Sequence, residues 1–150
     1  MKSISEASVR AELQARIAKL TPDKRPAWGR FNAGQMLRHC SMPMLGAMGK
    51  MEVAEKPTPF FFKTGLMRWL IIYSPVPWPK GVPTAPEFIP PAATDFQDAS
   101  KSLAAVLGEF AGKGASMRLR PHPAFGELSF RDWTCLQWRH IDHHLRQFGV

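Results

Sequence analysis

A chain of 150 residues, 45% of them hydrophobic, has the length and apolar content of one domain with a packed core, which excludes a disordered chain. The formal net charge of +8 invites a nucleic-acid partner, but residues 1–50 carry most of the excess, nine Lys and Arg against three acids, spread singly; a solvated basic surface is expected and nucleic-acid binding is not. Two cysteines, Cys40 and Cys135, exclude a disulfide framework and a zinc ribbon.

The start, MKSISEASVRAELQ, does not read as a signal peptide. No apolar run reaches bilayer length; Phe60 to Tyr73 is too short and contains Lys63 and Arg68. A soluble, reduced, cytoplasmic protein without a membrane part is expected.

Ser5 to Leu20 reads as an amphipathic helix with Val9, Leu13, Ile17 and Leu20 in one stripe, ended by Thr21-Pro22. After a loop with Pro26, Trp28 and Gly29, Asn32 caps a second helix to about Gly49, with Met36, Cys40, Met44 and Ala47 inward. His39 lies beside that stripe. Pro43, four residues on, removes the usual partner of the His39 carbonyl, so a bend is expected there. Residues 50–59 read as a linker. A short third helix runs from Phe61 or Phe62 to Tyr73, with Phe62, Leu66, Trp69 and Tyr73 on one face; the exposed apolar Phe60–Tyr73 region would suit a homodimer contact. The proline-rich SPVPWPKGVPTAPEFIPPAAT stretch is a long crossover loop, of the kind that borders a site. Thr94 caps a fourth helix to about Ala111 with Phe96, Ala99, Leu103, Leu107 and Phe110 inward, and Met117 to Glu127 leads to the last helix. His122 in that approach reads first as an exposed loop residue, with a substrate-contacting role left open. No alternating strand pattern appears, so the class is all-α: four main helices and a short one, a bundle with a long crossover.

The last helix, Ser129 to Gly149, carries the chemistry. Ser129 and Asp132 form its start signal, Gly149 its stop. At about 100° per residue, Arg131, Asp132, Arg139, Asp142 and Arg146 gather on a side expected to face water. Trp133, Gln137, His140, His144 and Gln147 form the opposite, inward stripe. Buried polar groups cost free energy unless paired, so this stripe calls for a partner. His140 and His144, four apart, can share a metal ion, and His143 at the stripe's edge could replace one of them. The same spacing also occurs in histidines that are merely hydrogen-bonded in a core. The stripe does not itself supply a third ligand.

The run His140-x-x-His143-His144-x-x-Gln147-Phe148 resembles the last-helix motif of the DinB/YfiT-like superfamily of metal-binding proteins. More closely, WGRFNAGQMLRHC (Trp28 to Cys40), PWPKGVPTAPEF (Pro77 to Phe88) and HPAFGELSFRDW…HIDHHLRQFGV (His122 to Val150) resemble a DUF1569 protein of that superfamily. The resemblance implies a four-helix bundle holding a divalent metal through His39, His140 and His144. It departs at Gly34, where relatives often carry a further His. Three imidazoles suit zinc or nickel, with iron or manganese as alternatives. The superfamily includes thiol-dependent S-transferases and a maleylpyruvate isomerase. The resemblance thus implies a metal-dependent transferase or isomerase acting on a small-molecule substrate with a low-molecular-weight thiol. Trp69, Tyr73, Trp78 and Trp133 are candidates for a pocket wall, and Gln137 and Gln147 for holding the ligand rings. The alternative is a non-catalytic helical interaction module whose histidines, or a metal they hold, are structural.

Overall fold

Local signals set the elements. The computed structural model describes residues 1–54, 58–114 and 118–150; the expected linker 50–59 and the approach beginning at Met117 therefore lie partly outside the described residues. Within them the secondary structure is helical, with α1 at Ala7–Ile17, α2 at Ala33–Ala47, α3 at Gly65–Ile72, α4 at Phe96–Gly112 and α5 at Phe130–Gln147. No strand is present among the described residues, which share one isolated bridge, His122 to Gly126.

Two helices begin with reciprocal caps, which satisfy backbone N–H groups that have no partner inside the helix. Asn32 Oδ1 accepts from the Gln35 N–H at 2.8 Å while Gln35 Oε1 accepts from the Asn32 N–H at 3.1 Å. Ser129 and Asp132 do the same at α5. At α4 the cap is Asp95, whose side chain accepts from the Asp98 N–H at 2.8 Å. The expected cap, Thr94, instead donates back to the Pro91 carbonyl, tightening the turn before the helix. α2 runs through Pro43 as a single helix.

The four long helices share a core. α2 lies along α4 and also touches α5, and α1 packs on both α4 and α5. Val9, Leu13 and Ile17 of α1, Met36, Cys40 and Met44 of α2, and Leu103, Leu107 and Phe110 of α4 are buried, as their helical spacing requires. Close approach of α2 to the start of α4 is possible because residue 34 is glycine. A Cβ there would lie 2.6 Å from the Thr94 carbonyl oxygen, so the position has no room for a side chain.

α3 departs from its expected face. A 3₁₀ turn, Phe60–Lys63, precedes it, and Thr64 caps a fresh helix, so the phase assumed for one continuous helix is lost. Ile72 is the buried residue; Leu66 and Trp69 are 74% and 53% exposed. Ile72 joins Phe125, Cys135 and Leu136 in a second, smaller apolar cluster on the far side of α5.

The result is that α5 is enclosed on most sides: of the side expected to face water, Arg131 and Arg146 are exposed and Asp132 is half-buried, but two residues depart from the expectation. Arg139 and Asp142 are buried. Arg16 of α1 donates to Asp142 at 2.7 Å and Arg146 reaches its other oxygen at 2.9 Å. Arg139 donates to the carbonyls of Ser74 and Val76 at the start of the crossover. A helical wheel sorts residues by polarity, but here ion pairs and loop carbonyls replace water around two of the charges.

Candidate metal centre

α2 and α5 bring three imidazoles together. The ligand-capable atoms of His39, His140 and His144 all lie within 4.8 Å of one another. The three rings meet edge to face, with centroids 4.8, 4.9 and 4.8 Å apart, and His39 Nε2 lies 3.0 Å from His140 Nε2. In a site with metal–nitrogen distances of about 2 Å, neighbouring ligand nitrogens are roughly 3 Å apart.

Ring orientation is fixed from outside the cluster. His39 Nδ1 is 2.8 Å from the Phe88 carbonyl, which can only accept, so this nitrogen carries the proton and Nε2 keeps its lone pair. His144 Nδ1 donates to Gln147 Oε1 at 2.7 Å, freeing its Nε2 in the same way. His140 Nδ1 has no partner among the described residues. The amide of Gln147 is itself held, because its Nε2 donates to the Trp28 carbonyl. Gly29 follows in a left-handed turn at φ 86°, and a Cβ there would meet Gln147 Nε2. Glycine is therefore required twice over at that position.

The electrostatics keep the rings neutral. Burial lowers the pKa of His39, against the opposing Phe88 bond. Burial, then the neighbouring His144 and His39, holds His140 well below the ordinary histidine value. Burial and His39 bring His144 down to about 3, against the Gln147 bond. Neutral imidazole with a free nitrogen is the form that ligates a metal. Converging ring nitrogens, lone pairs on the Nε2 atoms of His39 and His144, outer nitrogens tied to acceptors in those two rings and the neutral state together fit a divalent ion of nitrogen preference.

The crossover loop closes one side. Asn32 Nδ2 donates to the Ala92 carbonyl at 3.1 Å, Gln35 Nε2 to Pro90 at 3.0 Å, and His39 to Phe88. Alternate carbonyls of the proline-rich crossover, from the end of the 3₁₀ turn Pro86–Phe88 to Ala92, are thus laid along one face of α2. Proline suits this role, since it keeps the chain extended and still offers a carbonyl.

Beside the triad lies a cavity of about 1720 Å³, walled among the described residues by Trp28, Phe31, Trp78, Phe88, Trp133 and others. His143 sits in that wall, 5.9 Å from the Trp28 ring and 5.8 Å from Trp78, outside the cluster of three. His122 is no exposed loop residue. It stacks on Phe125 at 4.6 Å, lies 5.2 Å from Trp133, and lines the cavity. Its Nδ1 accepts from the Ala124 and Phe125 N–H groups at 3.1 and 3.3 Å, which places its proton on Nε2, and burial lowers its pKa to about 4. Trp69 and Tyr73 lie outside the wall. Trp69 is exposed, and the Tyr73 hydroxyl donates to Asp132, tying α3 to the cap of α5. The Phe88 carbonyl, a backbone group, leaves no side-chain signal in the sequence, whereas Trp28 opens the WGRFNAGQMLRHC motif.

Comparison with curated proteins and with solved structures gave no match. A family profile described as "Protein of unknown function (DUF1569)" matches residues 8–149. That span takes in α2, the crossover loop, α5 and every side chain of the triad, and the chain belongs to the DUF1569 family.

Proposed function

We propose that this protein is a divalent-metal-dependent enzyme of the DinB/YfiT-like superfamily, a single cytoplasmic four-helix-bundle domain that joins a small thiol to an electrophilic substrate or isomerises one through such a thiol. The reading rests on three neutral imidazoles whose ligand-capable nitrogens converge beside a large cavity. His39, His140 and His144 would hold zinc or nickel, with iron or manganese as alternatives. A divalent metal with three protein ligands keeps open positions and supplies Lewis acidity, which eases deprotonation of a thiol. The chain's own part is to fix geometry: Phe88 and Gln147 hold two rings from outside, and Trp28 and Trp78 wall the space beside them. None of the three ligands is a carboxylate, so the ion would keep its full charge toward an anionic reactant. The cavity exceeds the roughly 300–1,000 Å³ of common small-molecule sites, which suits two reactants. A closed, purely structural metal site would not need such access. The exposed face formed by Phe60, Phe61, Leu66 and Trp69 suits a homodimer contact.

The test is metal content of protein purified without a polyhistidine tag. Near one ion per chain in wild type, lost in His39→Ala, His140→Ala and His144→Ala, is expected, together with metal-dependent turnover of glutathione-like thiols with electrophiles. Turnover that survives His140→Ala would sink the mechanism.

A further inference from the structure

Two buried polar groups beside the triad have no partner. Trp133 is 2% exposed and Gln137 is 1% exposed. Neither the Trp133 indole N–H nor Gln137 Oε1 has a hydrogen-bond partner among the described residues, and both side chains line the cavity. Native proteins leave few such atoms, because each costs its full desolvation. These two are neighbours on one stripe. Trp133, Gln137 and His140 are four and three residues apart on α5, or roughly 6 Å and 4.5 Å of axial rise. His122 adds a third group: its Nδ1 is occupied by two backbone N–H donors, so the proton is on Nε2, and its ring lies 5.2 Å from that of Trp133.

The donor set defines what can bind. The indole N–H only donates, and so does His122 Nε2–H in this tautomer. The Gln137 amide can turn to present either end. With the unpaired Gln137 Oε1 exchanged for the amide NH₂ by that turn, all three groups donate, and a partner must bring an oxygen acceptor. The charged residues of the wall are Arg30, Lys63, Arg120 and Arg139 against Glu52, which is itself paired with Arg120, so the field favours an acceptor that carries negative charge.

We propose that Trp133, Gln137 and His122 form an oxyanion-type subsite that holds a carboxylate or amide carbonyl oxygen of the substrate about one helical turn from the His39–His140–His144 centre. The subsite deepens the enzymatic reading above and names the substrate class, a small organic acid or its amide.

The experiment uses zinc-loaded protein carrying ¹⁵N-labelled tryptophan, with the Trp133 indole resonance assigned by its loss in Trp133→Phe. Butyrate, butyramide, butan-1-ol and butylamine are titrated in turn. Saturable shifts of that resonance are expected with butyrate and butyramide, weaker ones with butanol and none with butylamine. Gln137→Leu should weaken butyrate binding roughly tenfold and raise Tm, because it removes an unpaired buried amide without leaving a cavity. A Gln137 that merely supports the fold would instead lower Tm on the same change. Absence of a saturable shift with either oxygen acid or amide, or undiminished binding in Gln137→Leu, overturns the proposal and leaves the polar atoms to buried water. Repeating the titration in metal-free His140→Ala protein separates the two readings. Shifts that persist without metal uphold the subsite even if the metal chemistry fails, and metal uptake without shifts removes the subsite alone.

Discussion

Gln147 uses both ends of one amide: its oxygen accepts from His144 Nδ1 and its nitrogen donates to the Trp28 carbonyl. Replacing it with leucine would leave the His144 ring free to rotate and two polar groups unpaired. Loss of such an outer hydrogen bond typically costs 10–100-fold in metal affinity, and that loss is expected in a zinc competition titration of Gln147→Leu, with helix content unchanged. His122 makes a second case. Its pKa falls from 6.5 to about 4 on folding because burial penalises the charged ring. Between those values the unfolded chain binds a proton that the folded chain does not. This contribution is therefore complete above pH 6.5 and is lost as the pH falls toward 4, an effect on the order of 3 kcal/mol at most. Urea unfolding of metal-free protein between pH 7.5 and 4.5 should show stability falling with pH, and His122→Phe should flatten the slope. The slope will not vanish, since burial also depresses His39, His140 and His144.

At the scale of elements, helix spacing alone was enough where one side of a helix meets a single core. The inward stripes of α1 and α2, and α4 from Ala99 to Phe110, are buried as their spacing predicts, and the Asn32 and Ser129 caps are where the residue types put them. Legibility failed where the surroundings are not water against oil. Asp142 on the supposed outer face is covered by α1, and Arg139 by the crossover. The α3 stripe failed for a different reason, a helix restart at Thr64 that shifts the phase of every later residue. In the site, the His140–His144 pair and the odd polarity of its stripe were visible directly. Spacing gave no third ligand; His39 came from family resemblance, because residues 101 positions apart in sequence share no local pattern. Close contact between α2 and α4 also rests on one residue. Gly34→Ala would press a methyl onto the Thr94 carbonyl, and a loss of about 1–3 kcal/mol is expected from denaturant unfolding.

For the whole molecule, the triad joins elements that are otherwise held by separate contacts: α2, α5 and, through Phe88, the crossover. Any ion that binds only the folded chain adds RT ln(1 + [L]/Kd), about 2.7 kcal/mol at a hundredfold excess over Kd. For a chain of this size each kcal/mol corresponds to a Tm rise of roughly 2–4 °C. Zinc or nickel should therefore raise Tm by several degrees in wild type and by nothing in His144→Ala, as calorimetry would show. None of the helices among the described residues is long and apolar enough to cross a membrane.

The crossover is hung from α2 by side chains at positions 32, 35 and 39, and the last of these is a triad histidine. One imidazole thus faces two masters, a loop carbonyl on one nitrogen and the centre on the other. Linkage makes that arrangement reciprocal: whatever fixes the ring for a bound ion would also fasten the crossover, and whatever peels the crossover away would loosen such an ion. The exposed turn at Lys80-Gly81 is then a reporter placed far along the chain from any ligand. Trypsin should cut it more slowly in zinc-loaded protein than in metal-free protein, and that protection should disappear in His39→Ala while the bonds from Asn32 and Gln35 remain.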